Sequence, residues 1–263
     1  MPNLSDKVAV VTGATQGVGR GVALELAAAG ATVYATGRTV SEETFTPDER
    51  VIPLPCDHTR DAETEAAFKR VIDERGRLDV LVNNVWGGYE NMLENGEFTW
   101  PRPFWRQPVW RWDAMFQAGV RAHYVCSQLA AQTMVDQGYG LIVNISFWAA
   151  QKHIGNVAYG VSKAATDKLT ADMAHELKEH NVAVVSLYPG LVRTEKVMLA
   201  AEWLDLSNSE SPQFIGRAVA ALASDPGVPA KTGSVLVAAS LGQEYGFTDI
   251  DGKTPRPLTI SDV

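Results

Sequence analysis

The chain has 263 residues, 46% of them apolar, with a formal net charge of −8. This supplies one substantial core, and the absence of a long basic run argues against nucleic acid or an anionic membrane as main partner. Its two cysteines, Cys56 and Cys126, make no disulfide framework; both read as core thiols, which fits a reducing, cytoplasmic setting.

Residues 7–12 read as a short buried strand, starting too early to leave room for a signal peptide. Residues 32–36, 51–55, 78–83, 140–146, 182–187 and 234–238 read as further strands. Between them, 18–29, 61–75, 113–136, 156–179 and 212–223 read as helices, with Gly30 placed to stop the first. Residues 39–50 are polar, carry Pro47 and read as loop. No apolar run reaches transmembrane length, and no metal-ligand set is read. Strands alternating with helices predict a parallel sheet covered on both faces, an α/β fold without an interdomain linker.

The first strand runs into Thr12-Gly13-Ala14-Thr15-Gln16-Gly17-Val18-Gly19. Gly13 permits a tight turn, Gly17 lets backbone approach a phosphate, and Gly19 permits close packing of helix on strand. The helix N-terminus then offers unpaired N–H groups to a diphosphate. Gly13, Thr15, Gln16, Gly17, Val18 and Gly19 are therefore candidate cofactor residues. At the end of the second strand, Gly37-Arg38 stands where NAD sites place an acid. A guanidinium there favours a 2′-phosphate, hence NADP(H) over NAD(H); a plain surface arginine is the alternative. Asp57 either accepts from an adenine amino group or shapes the turn into the next helix.

Tyr159 and Lys163 lie four residues apart and share one face of the predicted helix. An ammonium one turn away is expected to lower the phenol's pKa and let it exchange a proton with a bound substrate. A solvated helix face is the alternative reading of that pair taken alone.

Thr12-Gly13-x3-Gly17-x-Gly19, Asp57, Asn83-Asn84, Ser146, Tyr159-x3-Lys163 and Pro189-Gly190 occur in one order along the chain. In this the sequence resembles the short-chain dehydrogenase/reductase family, over most of its length. Residues 31–38, 76–84 and 249–252, and the run from Gly119 through His123-Tyr124 to Cys126, resemble its dehydrogenase/reductase member 1 subgroup. The resemblance implies a single NADP-binding domain over residues 1–263. Its fold would be a Rossmann-type doubly wound parallel sheet of about seven strands with helices on both faces. It also implies hydride transfer between a nicotinamide and a carbonyl or alcohol. Tyr159 would be the general acid or base. Lys163 would lower its pKa and hold the nicotinamide ribose, and Ser146 would hydrogen-bond the substrate oxygen. Asn84 would lie beside the cofactor, with Val192 backbone and the Thr194 hydroxyl at the carboxamide. A homodimer or homotetramer through the two long helices is implied as well.

Three departures from the family pattern stand out. Phe147 follows Ser146 where a second serine is frequent; Ser146 lies 13 residues before Tyr159, as suits the catalytic serine, while strand register would put Phe147 there. Trp86 stands where glycine is usual. Gly119 aligns with the helix asparagine that orders a water relay from the lysine. A glycine there weakens the helix by roughly 1 kcal/mol relative to alanine. A bend could then turn a backbone carbonyl towards water near Lys163.

Residues 86–112 form an aromatic insertion, with Trp86, Tyr89, Phe98, Trp100, Phe104, Trp105, Trp110 and Trp112. Pro101, Pro103 and Pro108 oppose a long helix there. The rings either wall an apolar pocket or form their own core or an oligomer contact. Residues 193–211 read as a lid over substrate or as a packed connector, and His153 as an exposed loop residue or a pocket residue. The expected activity is NADP-dependent oxidoreduction of a small, largely apolar carbonyl or alcohol. A non-catalytic NADP(H) sensor and an isomerase or dehydratase on the same fold are the alternatives.

Overall fold

Alternation along each strand decides which side chain meets which layer of helices. In a computed structural model, residues 2–45, 50–90, 92–94 and 96–263 are described, Leu93 through its backbone alone. The strands are β1 (Val8–Val11), β2 (Thr32–Gly37), β3 (Val51–Pro55), β4 (Val80–Asn83), β5 (Leu93–Glu94), β6 (Glu97–Phe98), β7 (Gly140–Ile145), β8 (Val182–Tyr188) and β9 (Val235–Val237). Seven of them form one parallel sheet in the order β3-β2-β1-β4-β7-β8-β9. β5 and β6 pair as a separate antiparallel hairpin.

The helices are α1 (Gly17–Ala28), α2 (Asp61–Arg75), α3 (Val109–Met115), α4 (Ala122–Gln137), α5 (Val157–Leu177), α6 (Glu195–Met198), α7 (Pro212–Ser224) and α8 (Ala238–Tyr245). A π-helical segment, Phe116–Arg121, joins α3 to α4. Ala9 and Val11 of β1 pack with Val22 and Leu26 of α1 and Phe214 and Val219 of α7. Val8 and Val10 pack on the opposite face with Phe68 of α2, Met134 of α4 and Leu177 of α5. This is the doubly wound, single-domain Rossmann-type sheet, helices on both faces. Among the described residues no helix is long and apolar enough to cross a membrane.

Towards the C-terminal strand ends, the α4/α5 face turns polar. Asn83 pairs in register with Asn144, and Asn144 with Ser186. Asn83 Nδ2 donates to Asn144 Oδ1 at 2.8 Å and to the Ser127 hydroxyl at 2.9 Å. Asn144 Nδ2 donates to the Thr170 hydroxyl at 2.8 Å, and Ser186 donates to Asp167 Oδ1 at 2.8 Å. The Thr170 and Ser186 hydroxyls are 2.9 Å apart, which closes the chain. These bonds satisfy polar groups that would otherwise cost stability in a dry interior. They also tie three strands to the two helices that frame the site.

Two expectations need correction. The helix expected over 113–136 already begins at Val109, with Pro108 as its N-cap, and contains the π-helical segment. Proline lacks only an N–H that a first turn does not use, so it starts this helix rather than preventing it. The last strand, expected over 234–238, stops at Val237, and α8 follows directly. Residues 46–49 of the expected loop and Asn91 and Asn95 of the insertion lie outside the described residues.

Asn144→Leu is expected to lower stability by about 1–3 kcal/mol, because it leaves buried partners on β4 and α5 short of a hydrogen bond. Urea unfolding of the variant beside wild type measures this.

Candidate active site

Helix α5 starts where the Asn156 side chain accepts the Tyr159 N–H at 3.1 Å, an N-cap that sets the first turn. The face carrying Tyr159 and Lys163 then turns inward; both are buried, at 9% and 5% exposure. Lys163 Nζ donates to the Ile145 carbonyl at the end of β7, at 3.1 Å. On another side it lies 3.6 Å from the centre of the Trp86 ring. Burial pulls its pKa down to about 7, opposed by the charge of Asp167 one turn on.

Tyr159 is fenced by aromatic rings. Trp100 lies 5.4 Å away centre to centre, Trp86 6.0 Å, Tyr89 6.2 Å and Phe147 6.3 Å. Tyr89 brings a second phenol into this fence. Burial, reinforced by Tyr89, raises the Tyr159 pKa well above its ordinary value. The lowering expected from Lys163 is thus overridden: the ammonium is 5.8 Å from the tyrosine ring centre, and desolvation dominates. Tyr159 holds its proton at neutral pH.

Ser146 continues β7, its N–H bonded to the Leu187 carbonyl at 3.0 Å. Its hydroxyl lies towards α5, 3.5 Å from the Lys163 carbonyl. Phe147 instead lays its ring beside Tyr159. His153 is exposed.

The glycine turn sits where the strand order reverses, between β1 and β4, the crevice that binds ligands in doubly wound sheets. Gly13 has φ +65°, and a Cβ there would come within 2.7 Å of Val85 Cα. A Cβ on Gly19 would fall 2.4 Å from Asn84 Nδ2. Asn84 uses that amide to bond the Thr12 and Gly13 carbonyls, both at 3.0 Å, and so pins the turn to β4. Thr15 packs against Gly37, where a Cβ would meet its hydroxyl at 2.5 Å. Gln16 is exposed and precedes α1 without a side-chain cap of its own.

Arg38 is exposed and pairs with Glu90 Oε1 at 3.6 Å. Asp57 Oδ1 accepts from the Thr59 N–H at 3.0 Å and the Thr59 hydroxyl at 2.8 Å, shaping the turn into α2. The 193–211 segment holds α6 and folds back through a bridge between Val192 and Glu210. Asp249 clamps both of its ends, accepting from Arg193 at 3.0 Å and from the Ser211 N–H at 2.8 Å. Thr194 caps α6 through the Val197 N–H, and Glu195 Oε2 accepts the Gly17 N–H at 2.9 Å. Met198, Leu199 and Trp203 stay exposed.

A family model described as short chain dehydrogenase matches residues 7–205. This chain belongs to the short-chain dehydrogenase/reductase family. It is 43% identical to mouse dehydrogenase/reductase SDR family member 1 over 95% of this chain and 85% of the mouse protein. The human protein of that name is 41% identical, over 99% of this chain and 88% of its own length. A 7α-hydroxysteroid dehydrogenase solved with NADH and 7-oxo glycochenodeoxycholic acid superposes with a TM-score of 0.77 at 29% identity. The match covers 89% of this chain and 93% of that one.

Within this short-chain dehydrogenase/reductase, three site contacts escape a reading of the sequence. Tyr89 packs beside Tyr159, Glu90 pairs with Arg38, and Glu195 occupies the N–H of Gly17. Each joins segments far apart in sequence, and no motif spacing encodes it. Position 119 is a fourth case. Gly119 lies within the π-helical segment, and the carbonyl that Lys163 reaches belongs to Ile145. Gly119 packs under Trp86 instead.

A lysine that titrates near 7 when folded and near 10.4 when unfolded binds fewer protons in the native state between those values. Wild-type stability is therefore expected to rise from pH 7 to 10, by up to about 4 kcal/mol. Lys163→Met is expected to lack that rise and to be the more stable protein at pH 6. Urea unfolding at pH 6, 8 and 10 checks both statements.

Proposed function

We propose that the protein is an NADP(H)-dependent oxidoreductase acting on a carbonyl or secondary alcohol of a largely apolar small molecule. The observation that carries this reading is the inward face of α5, where a protonated Tyr159 and a buried Lys163 meet at the C-terminal ends of the strands. The residues present fit a dinucleotide: the α1 N-terminus already takes a carboxylate at the Gly17 N–H, so this helix end accepts an anion.

Gly13, Thr15, Gln16, Gly17, Val18 and Gly19 would hold the diphosphate, with Asn84, Val192 and Thr194 along the nicotinamide half. Arg38 would take the 2′-phosphate in exchange for Glu90, and Asp57 would lie near the adenine. The nicotinamide, when bound, supplies or accepts the hydride. Tyr159 gives its proton to the carbonyl oxygen in reduction and recovers it in oxidation. Lys163 holds the nicotinamide ribose, and Ser146 steadies the substrate oxygen. A substrate oxygen reaching Tyr159 must enter among these rings, so the aromatic fence forms part of the binding wall. Trp86, Tyr89 and Trp100 then give the pocket its apolar character. The steroid ketone in the solved 7α-hydroxysteroid dehydrogenase supports that substrate class. Exposed Tyr124 on α4 and Val157 and Val161 on α5 support a homodimer or homotetramer.

The burial of Tyr159 beneath its rings favours one second reading, a nucleotide-binding sensor without turnover. A carbonyl panel followed by NADPH absorbance separates the two. Tyr159→Phe is expected to bind cofactor and lose nearly all turnover; wild-type rates in that variant would assign the proton donor elsewhere.

NADPH is expected to bind more tightly than NADH. Losing a charged hydrogen-bonded partner costs about 1.5–3 kcal/mol, roughly ten- to hundredfold in affinity. Arg38→Ala should remove that margin. Fluorescence titration of both nucleotides into both proteins measures it, and an unchanged preference would release Arg38 from the role.

A further inference from the structure

Trp86 is placed with unusual completeness for a residue outside any catalytic motif. The face of its ring lies 3.6 Å from the Lys163 ammonium, and its edge meets Tyr159 at an interplanar angle of 88°. His123 stands on a further side, 6.4 Å between ring centres. Gly119 lies against another part of the ring. A Cβ at that position would come within 2.6 Å of Trp86 Cζ3 and 2.8 Å of Cε3, closer than a rigid ring tolerates. Gly87 and Gly88 follow Trp86 and let the chain lie against the helices. A Cβ on Gly87 would meet the Ala114 carbonyl at 2.7 Å, and one on Gly88 would meet Met115 Cγ at 2.8 Å. Gly119 thus makes room for the indole, and Gly87 and Gly88 let the chain after it lie against α3.

The indole N–H does not account for this placement. Trp86 Nε1 is buried and makes no hydrogen bond among the described residues. What the ring offers its surroundings is its face. An ammonium over an aromatic face is attracted by the ring quadrupole, most strongly for tryptophan and most strongly when water is excluded. A lysine side chain has three donors, and among the described residues the Lys163 Nζ donates to one oxygen, the Ile145 carbonyl.

We infer that Trp86 is a positioning residue of the reaction: its ring face holds the Lys163 ammonium in place beside Tyr159, and Gly119 is the gap that admits the ring. This rests on the reading that Tyr159 and Lys163 carry the proton transfer. Trp86 acts through Lys163 and takes no proton itself. The other titratable groups around the ammonium are Tyr159 and Asp167 on its own helix, His123 from α4, and Tyr89 beyond Tyr159. His123 is neutral, its pKa pushed down to about 3 by burial and by the Lys163 charge. Asp167 supplies opposite charge from one turn away, and the Trp86 face adds to it.

The test uses Trp86→Leu, Trp86→Phe, Gly119→Ala and the double variant Trp86→Leu/Gly119→Ala in the full chain. The first readout is the pH titration of the Lys163 side chain by NMR of 13C-lysine-labelled, nucleotide-free protein, assigned with Lys163→Met. Removing the face withdraws support from the charged form. In Trp86→Leu the midpoint is expected to fall by about one pH unit, and in Trp86→Phe by less. Gly119→Ala, which leaves the tryptophan in the sequence but displaces its ring, should shift the midpoint the same way. In the Trp86→Leu background the alanine should add nothing, because the two sites act as one. The second readout is the pH profile of kcat on an accepted carbonyl, whose alkaline limb should move down by the same interval.

Equal midpoints in folded wild type, Trp86→Leu and Gly119→Ala would overturn the inference, whatever their turnover. If the midpoints move as expected while wild type reduces no carbonyl at all, the contact stands and the oxidoreductase reading is what fails. If Trp86→Leu does not fold, Gly119→Ala and Trp86→Phe decide the question alone.

Discussion

A cationic group taken out of water dictates much of what surrounds it. Lys163 points inward because α5 must present one face to the sheet, and an ammonium on that face needs compensation. The compensation comes from an unpaired carbonyl at the end of β7 and from the face of an indole on the opposite strand connection. Accommodating the indole in turn requires glycine at 119, in a stretch of helix that is wound more loosely than its flanks. π-helical turns of this kind recur at functional sites, where an added residue re-aims the helix surface. The fence around Tyr159 follows from the same packing, since the rings that close over the lysine also close over the phenol.

The sheet prepares this arrangement from below. Strand alternation puts Asn83, Asn144 and Ser186 on the α4/α5 side at one level, just beneath the site. Their mutual hydrogen bonds make the floor stiff and leave few free polar groups there. One exception is Asn83 Oδ1, which has no partner among the described residues, as is also true of His123 Nδ1. Both are buried acceptors close to the α4 side of the lysine, a region whose polarity exceeds that of an ordinary helix–sheet contact.

Much of the scaffold was legible in the sequence because it depends on local pattern. Apolar runs of four to six residues, separated by amphipathic segments, locate every strand of the parallel sheet within a few residues. The glycine turn is legible for a related reason: Gly13 and Gly19 answer steric demands that only one residue type meets. What escaped depends on tertiary contacts. Pro108 looks like a helix breaker until its place as a cap is known. Gly119 looks like a missing side chain until Trp86 is seen against it. The Tyr159 pKa goes the opposite way from the motif's logic because enclosure by Trp86, Tyr89, Trp100 and Phe147 outweighs a neighbouring charge. Neither Glu90 nor Glu195 carries any signal in the chain that it will meet Arg38 or Gly17.

The Glu195 contact has a bearing on nucleotide affinity. A helix end that is bare in solution rewards an incoming anion with its whole field, whereas this one is already engaged by a carboxylate of the same chain. Arrival of a diphosphate there would be a substitution of one anion by another, and the observed affinity would reflect only the difference between them. The displaced carboxylate sits at the start of α6, in the segment that Asp249 fastens at both ends. If its departure also moves that segment, occupancy at the glycine turn and the posture of residues 193–211 are thermodynamically linked, each biasing the other by the same amount.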